Sequence, residues 1–424
     1  MMRRLYIFLL ITGCLFLWEP NLLQAEVTEQ LIEQDKCVSC HLEMELLPED
    51  FQKYDIHLQI GLSCAGCHGG DPTTDDPELS MSPAKGFIGK PALKDIPKFC
   101  GKCHSDIGIM RVYQPRIATD QVTQYYTSVH GIKLKKGDTK VAECVSCHTA
   151  HAIPSGKDGR STVYPLNIPE MCNKCHGQAD YMSEYNIPTD QYEKYAQSVH
   201  GINLLEHKDL GAPVCNDCHG NHGATPPGIE SVSHVCGGCH INNLEHFKES
   251  PMATPYVELE IHACEQCHGY HEVLATNDEM VGVGEESVCT ECHASGDAGY
   301  KAAEQIYGSL KMFVSVYDSA EEKLKEVQRK GMDDVDILFY LQEANQILIH
   351  TRNLTHTFIP EKVAEKTREG VEKSRQAITL AGTEISDYYF RRRGFGIASL
   401  FITVLVIALF FRIRSMDKEK TEKE

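Results

Sequence analysis

Eighteen of the 19 cysteines in this 424-residue chain fall into one repeated pattern, C-x-x-C-H, between Cys37 and His293. It occurs at Cys37/Cys40/His41, Cys64/Cys67/His68, Cys100/Cys103/His104, Cys144/Cys147/His148 and Cys172/Cys175/His176. It recurs at Cys215/Cys218/His219, Cys236/Cys239/His240, Cys264/Cys267/His268 and Cys289/Cys292/His293. Two thiols at this spacing can form thioethers to the two vinyl groups of one porphyrin, and the adjacent histidine then reaches the iron. Structural zinc would need ligand sets of four closed around one ion. Iron–sulfur clusters need no histidine after every second cysteine. A disulfide framework would not hold every in-pair spacing at two residues. The pattern therefore predicts nine covalently attached c-type haems (heme c).

Sixth ligands are available in matching number. Of 21 histidines, nine belong to the motifs and ten more lie among them. His57, His130, His151, His200, His222 and His271 are the strongest candidates, followed by His234, His246 and His262; His207 reads as a bystander. Met252 occupies the place that His130 and His200 hold in their own sequence copies, and a thioether there would raise that haem's potential. A near-complete set of bis-histidine irons suits electron relay, because six-coordinate iron reorganises little and keeps small molecules off. No catalytic residue is assigned.

The flanks repeat as well. Thr119-Asp120-Gln121 leads to Ser128-Val129-His130-Gly131 before Cys144, and Thr189-Asp190-Gln191 leads to Ser198-Val199-His200-Gly201 before Cys215. Looser copies end at Asp55-Ile56-His57 and Ser250-Pro251-Met252. Each copy predicts a short helix ending in an iron ligand, with the glycine as its stop. His151, His222 and His271 each stand three residues after a motif histidine, too close to bind the same iron but able to bind a neighbouring one. Interval lengths group the motifs as a lone first one and then pairs starting at 64/100, 144/172, 215/236 and 264/289.

The surrounding chain must position these groups with little material. Roughly 29 residues per motif cannot build a conventional core, so the porphyrins must be the apolar interior. The expected fold is mainly α, with little regular secondary structure around stacked haems, followed by a helical bundle and one transmembrane helix. Residues 1–25 read as an export signal, with Cys14 in a possible lipidation box. Residues 26–299 form the nonahaem segment and 300–390 three helices. On the first helix Ile306, Leu310, Phe313, Tyr317, Ala320, Leu324 and Val327 recur at helical spacing, and Gly331 ends it. Leu338, Leu341, Asn345 and Leu348 mark one side of the second, whose His350 or His356 could meet a haem or solvent.

Residues 394–411 are free of charge, flanked by Arg391–Arg393 on one side and Arg412 and Arg414 on the other, and long enough to cross a bilayer. Residues 412–424 then form a cytoplasmic tail, and the haem segment faces the periplasm. A net charge of −19 excludes a nucleic-acid partner and favours one with a basic docking face.

The Ser-Val-His-Gly, CxxCH and following His at residues 128–151 and 198–222 resemble the multihaem cytochrome c superfamily of tetrahaem cytochrome c554, octahaem hydroxylamine oxidoreductase and pentahaem nitrite reductase. That resemblance implies exchange of electrons between a quinone-linked membrane partner, such as a quinol-oxidising subunit, and periplasmic or surface redox proteins. Its alternative is oxidation or reduction of hydroxylamine, nitrite or a similar small molecule at one open haem. The lysine that related nitrite reductases carry at the active haem is replaced by histidine in all nine motifs.

Overall fold

The computed structural model describes residues 34–48, 51–227 and 229–421. The export-signal and Cys14 readings lie outside the described residues. Among the described residues there is no strand, and the chain is mainly α. It divides into two compact units. One holds the residues up to 227 together with the short segment Gly269–Ala275, and the other holds Ile229–His268 and Thr276 onward.

The first unit is a series of short helices joined by turns. Every motif in it sits on a helical turn, either alone, as in Cys64–His68, Cys144–His148 and Cys215–His219, ending a longer helix, as in Ile96–His104 and Ile168–His176, or within one, as in Lys36–Glu43. Helical residues three and four apart share a face, so both thiols and the histidine project to one side. Among the other short helices between motifs are α1 (Ile56–Gln59), α2 (Val129–Lys135) and α3 (Val199–Leu205). Apolar packing is local. Val38, Phe51 and Leu58 form one small cluster, and Ile168, Leu204, Ala212 and Val214 another.

The second unit ends in three long helices: α4 (Ala298–Arg329), α5 (Val335–Leu354) and α6 (Pro360–Thr421). Asp297 caps α4 by accepting from the backbone N–H of Tyr300 at 2.7 Å. Gly331, with φ 64°, lies just past its end, as expected of a left-handed stop. The helices pack in three successive layers. Ile306, Leu310 and Val363 form the first, Phe313, Ala344, Leu348 and Val371 the second, and Leu324, Val327, Ile337, Leu341, Ala377 and Ala381 the third.

The buried face of α5 is turned from the one its spacing predicts. Ile337 and Ala344 are buried in place of Leu338 and Asn345, and Asn345 is exposed. Burying the carboxamide would have required a partner, whereas Ala344 lets Phe313 and Val371 close over it.

One glycine in this bundle is required by close approach. A Cβ on Gly370 would lie 1.9 Å from the ring of Phe313, which is fully buried. Gly370→Ala is expected to cost about 1–3 kcal/mol by overpacking, read as a lowered thermal midpoint of the bundle's helical signal.

α6 continues without interruption from the bundle into its apolar end. That end is exposed throughout and is long and apolar enough to cross a membrane. It fits membrane anchoring.

Candidate haem sites

The flank repeats build one local structure three times. In the first unit the distal candidates His57, His130 and His200 are each the second residue of α1, α2 and α3. The expectation that the helix ends at the histidine is therefore corrected: the helix begins there. The cause is the residue before it, a buried cap. Ser128 Oγ accepts from the N–H of Gly131 at 2.9 Å and donates to the carbonyl of Tyr125 at 2.6 Å. Ser198 repeats both bonds with Gly201 and Tyr195, at 3.0 and 2.6 Å.

In the first copy Asp55 does the same work, its Oδ1 accepting from the N–H groups of His57 and Leu58 at 2.9 and 3.1 Å. Burial pushes the Asp55 carboxyl up, but hydrogen bonds from His57 and the Ile153 and Leu58 amides outweigh it and hold it below the usual value. Gly131 and Gly201 are not stops. They lie inside α2 and α3, where a Cβ would stand 2.0 and 1.9 Å from the carbonyl oxygens of Tyr125 and Tyr195.

Each of these helices is docked by a return segment. After the motif histidine the chain turns sharply, with positive φ at Thr149 (66°), Gly220 (84°) and Gly269 (74°). His151, His222 and His271 follow within two residues. Two residues further on, a carbonyl accepts from the start of a distal helix: Ile56 N–H to Ile153 at 2.9 Å, Val129 N–H to Ala224 at 3.2 Å and Val199 N–H to Val273 at 2.8 Å. The phenols of Tyr125 and Tyr195 fix the other side by donating to the carbonyls of Ala142 and Pro213, two residues before the next motif.

This scaffold sets histidines face to face. His57 stands opposite His104 with ring centroids 6.1 Å apart, and His68 opposite His151 at 6.2 Å. The pairs His130/His176, His148/His222 and His219/His271 stand at 6.1, 6.2 and 5.8 Å. In the second unit His268 faces His356 at 6.1 Å. A metal–imidazole bond is about 2 Å long and the ring centre lies about 1 Å behind its nitrogen, so two imidazoles on one metal have centroids about 6 Å apart. Ordinary aromatic packing also spans that distance. It does not require each of the six pairs to join a motif histidine to a non-motif one, as they do here.

Hydrogen bonds agree with the same fit. The Nδ1 atoms of His68, His219 and His356 lie 2.9, 3.3 and 3.0 Å from the carbonyls of Ile88, Thr225 and Asn353. A backbone acceptor at Nδ1 leaves Nε2 for a metal. Burial pushes both rings of His130/His176, His148/His222 and His268/His356 below the ordinary histidine value, favouring the neutral form that ligates iron.

His356 is the residue that sequence reasoning leaves undecided. It lies in the 3-10 turn between α5 and α6, where no CxxCH precedes it and no flank repeat marks it. The remaining candidates are placed differently. His246 lies close enough to His350 and His356 for its charge to lower both. His262 pairs with the carboxylate of Glu265. His200, His234 and the motif histidine His240 are all engaged by neighbours. His293 has Asp297 Oδ2 at 3.4 Å from its Nδ1 and packs on Gly299. Among the described residues no histidine ring faces His41 or His293 as the six pairs face each other.

The motifs also meet across intervals that their spacing along the chain does not single out. First cysteines lie close enough to perturb each other's thiols as Cys100 with Cys144, Cys172 with Cys215 and Cys236 with Cys264, and Cys37 lies near enough to Cys64 to raise its thiol further. Each couple brackets one distal segment, and the pairs 64/100, 144/172 and 264/289 are neighbours as well, with Cys67 near Cys103, Cys147 near Cys175 and Cys267 near Cys289 and Cys292. The longer interval does not separate the two motifs because the distal helix folds back between them.

The second cysteines are placed otherwise. Cys40, Cys218 and Cys239 are exposed, and Cys103 and Cys175 half-buried. Cys103 lies near enough to Cys67, and Cys175 to Cys147, to raise the neighbouring thiol beyond what burial does. In five motifs the second thiol is exposed while the first is half-buried, as in Cys37/Cys40, Cys215/Cys218 and Cys236/Cys239. The two thiols of a motif thus differ in their surroundings, which suits two bonds to separate vinyl groups of one porphyrin. The thioether role of Cys40, Cys103, Cys175, Cys218 and Cys239 rests on the motif chemistry. They do not join the motif histidines in a metal cage. Among the described residues no three His, Cys, Asp or Glu side chains close on one metal position. A facing histidine pair would supply two donors to a haem iron, whose porphyrin would bring the other four.

Comparison with known proteins agrees with this chemistry. The Cytochrome c3 family model matches residues 56–177, which run from the start of α1 through four motifs. That segment is thereby marked as a multihaem cytochrome region, with covalent c-type haem as its cofactor and electron transfer as its chemistry. No curated protein and no solved structure matches the chain.

Proposed function

We propose that the chain is a membrane-anchored nonahaem cytochrome that relays electrons on the periplasmic side of the cytoplasmic membrane. Eighteen cysteines hold the nine haems by thioethers and nine motif histidines bind their irons from one side. The observation that carries the reading is the set of six facing histidine pairs at iron spacing. Irons closed on both faces exchange electrons and do not bind substrate. Donor and acceptor are a quinone-linked membrane partner and a periplasmic or surface redox protein, and the acidic surface suits partners with basic docking faces.

The couples explain how the ligands are shared. Each couple with its distal segment is one repeat of two haems. The distal histidine of one repeat serves the first motif of the next: His57 lies opposite His104, and His130 opposite His176. The histidine three residues after a repeat's second motif serves the second motif of the repeat before: His151 lies opposite His68, and His222 opposite His148. Neighbouring repeats are tied reciprocally, which keeps successive porphyrins close.

The same rule favours a second reading at one place. The first motif has no repeat before it to supply a distal ligand to the iron of His41. A multihaem oxidoreductase acting on hydroxylamine, nitrite or a similar small molecule would have its open haem there. Low-temperature EPR with resonance Raman on the oxidised protein tests both. Nine low-spin irons are the expected result for the relay. A high-spin iron whose resonance Raman signature changes in His41→Ala, with turnover of a small nitrogen compound, would replace it with the enzyme.

A further inference from the structure

Extended to the fourth repeat, the ligand-sharing rule assigns the last haem. This inference rests on the haem reading above. The fourth repeat spans Cys236 and Cys264, and its distal segment is Ser250-Pro251-Met252. Ser250 is buried, and its Oγ donates to the carbonyl of Phe247 at 2.6 Å, the same bond at the same length as in the second and third copies. Proline at 251 moves the helix start, so Met252 caps the helix Ala253–Glu258.

One turn along that helix, Tyr256 has its hydroxyl 3.8 Å from Cys267 Sγ. Burial and the nearby thiols of Cys267, Cys292 and Cys289 push this phenol up, which places the helix beside the ninth motif as well as the eighth. We propose that Met252 is the sixth ligand of the ninth haem, opposite His293, making it a His/Met centre among bis-histidine ones. His356 completes the rule at the eighth motif, standing where a fifth repeat would have supplied its histidine. A thioether stabilises ferrous iron, so the ninth haem is the most oxidising centre and the end toward which electrons fall.

Full-length holoprotein tests this. The ferric protein should show the weak red absorption band of thioether-ligated haem. Met252→Ala should abolish the band and turn one iron high-spin, and Met252→His should restore a low-spin iron while the highest midpoint in a redox titration falls. His293→Ala should also abolish the band. Absence of the band in the unaltered protein, or its survival in Met252→Ala or His293→Ala, overturns the assignment. None of these outcomes depends on whether the other haems relay electrons or one of them turns over a substrate, which the count of high-spin irons in the unaltered protein decides.

A separate observation bears on the membrane partner. α4 carries Gly299 against His293 at its start, and just past its end Lys330 Nζ lies 3.3 Å from the hydroxyl of Tyr389 and over the rings of Tyr388 and Tyr389. Tyr389 lies five residues before the uncharged stretch of α6. Between these ends run the 32 residues of α4, roughly 48 Å at about 1.5 Å per residue. The turn carrying His356 lies at the same far end, because α6 starts four residues later and runs back along the bundle.

The geometry points to the bundle as a stand-off that holds the eighth and ninth motifs a bundle length above the bilayer. At a transmembrane tilt of about 40° the height is still more than about 35 Å. Electrons do not tunnel that far in one step, so quinol dissolved in lipid does not reduce the eighth or ninth haem directly. Cryo-electron microscopy of the holoprotein in proteoliposomes should show the end of the bundle that carries the eighth and ninth motifs separated from the bilayer. That end lying on the lipid overturns the inference. The spin-state count that judges the relay itself is unaffected by either result.

Discussion

Produced without haem attachment, the chain is expected to keep its C-terminal helices and lose ordered structure across residues 34–293. The contrast is one of available core. α4, α5 and α6 bury three continuous layers against one another, with Phe313, Ala320, Val327 and Val363 among the fully buried side chains. The first unit has only small clusters such as Val38/Phe51/Leu58, and its helices are mostly a turn or two long. Helices this short do not persist in water without tertiary support.

In the proposed holoprotein that support would come from porphyrins held by the motif cysteines and histidines, so that cofactor binding and folding would be one event. Limited proteolysis with mass spectrometry should find residues 298–390 protected in the unhaemylated protein and everything from 34 to 293 cleaved. A protected fragment spanning Ile56–Gly177 without haem would show that the protein part alone makes a core there.

How much of this is legible in the sequence follows from what each feature depends on. The motifs are covalent chemistry, and their spacing alone points to haem. The histidines at 57, 130, 151, 222 and 271 are marked because the chain repeats itself around them, and all five lie opposite a motif histidine. His356 has no such signal. It is brought to His268 by packing that no repeat records: the turn at Thr355–Thr357 sits in the α5–α6 connection, and Phe358, at φ 52°, packs its ring on Phe247.

Interval length leaves out the closeness of the first cysteines for a related reason. It says how far two motifs can separate along the chain, whereas contact depends on the helix between them folding back. Gly131 misleads because glycine after a histidine looks like a helix stop, and a close backbone approach leaves no mark in a single sequence.

That close approach makes Gly131, like Gly201, a sensitive small position in the first unit. Gly131→Ala would put a methyl group 2.0 Å from the carbonyl of Tyr125, a backbone atom that cannot swing aside as a side chain can. Relief requires α2 to move away from Tyr125. The Ser128 cap then breaks, because its hydroxyl binds the Gly131 amide and the Tyr125 carbonyl together.

His130 rides on the same turn, 6.1 Å from His176, so displacement of the helix withdraws the distal ring from the fifth motif. The expected result is one iron converted from low-spin to high-spin in the EPR spectrum, with about 1–3 kcal/mol lost from the stability of the holoprotein. Gly201→Ala repeats the collision at 1.9 Å from Tyr195 and should behave alike on a different haem. Gly159→Ala, where a Cβ meets nothing within 4 Å, should leave both spectrum and stability unchanged. If Gly131→Ala keeps every iron low-spin, the helix start does not set the distal ligand, and the ligand-sharing rule loses its structural basis.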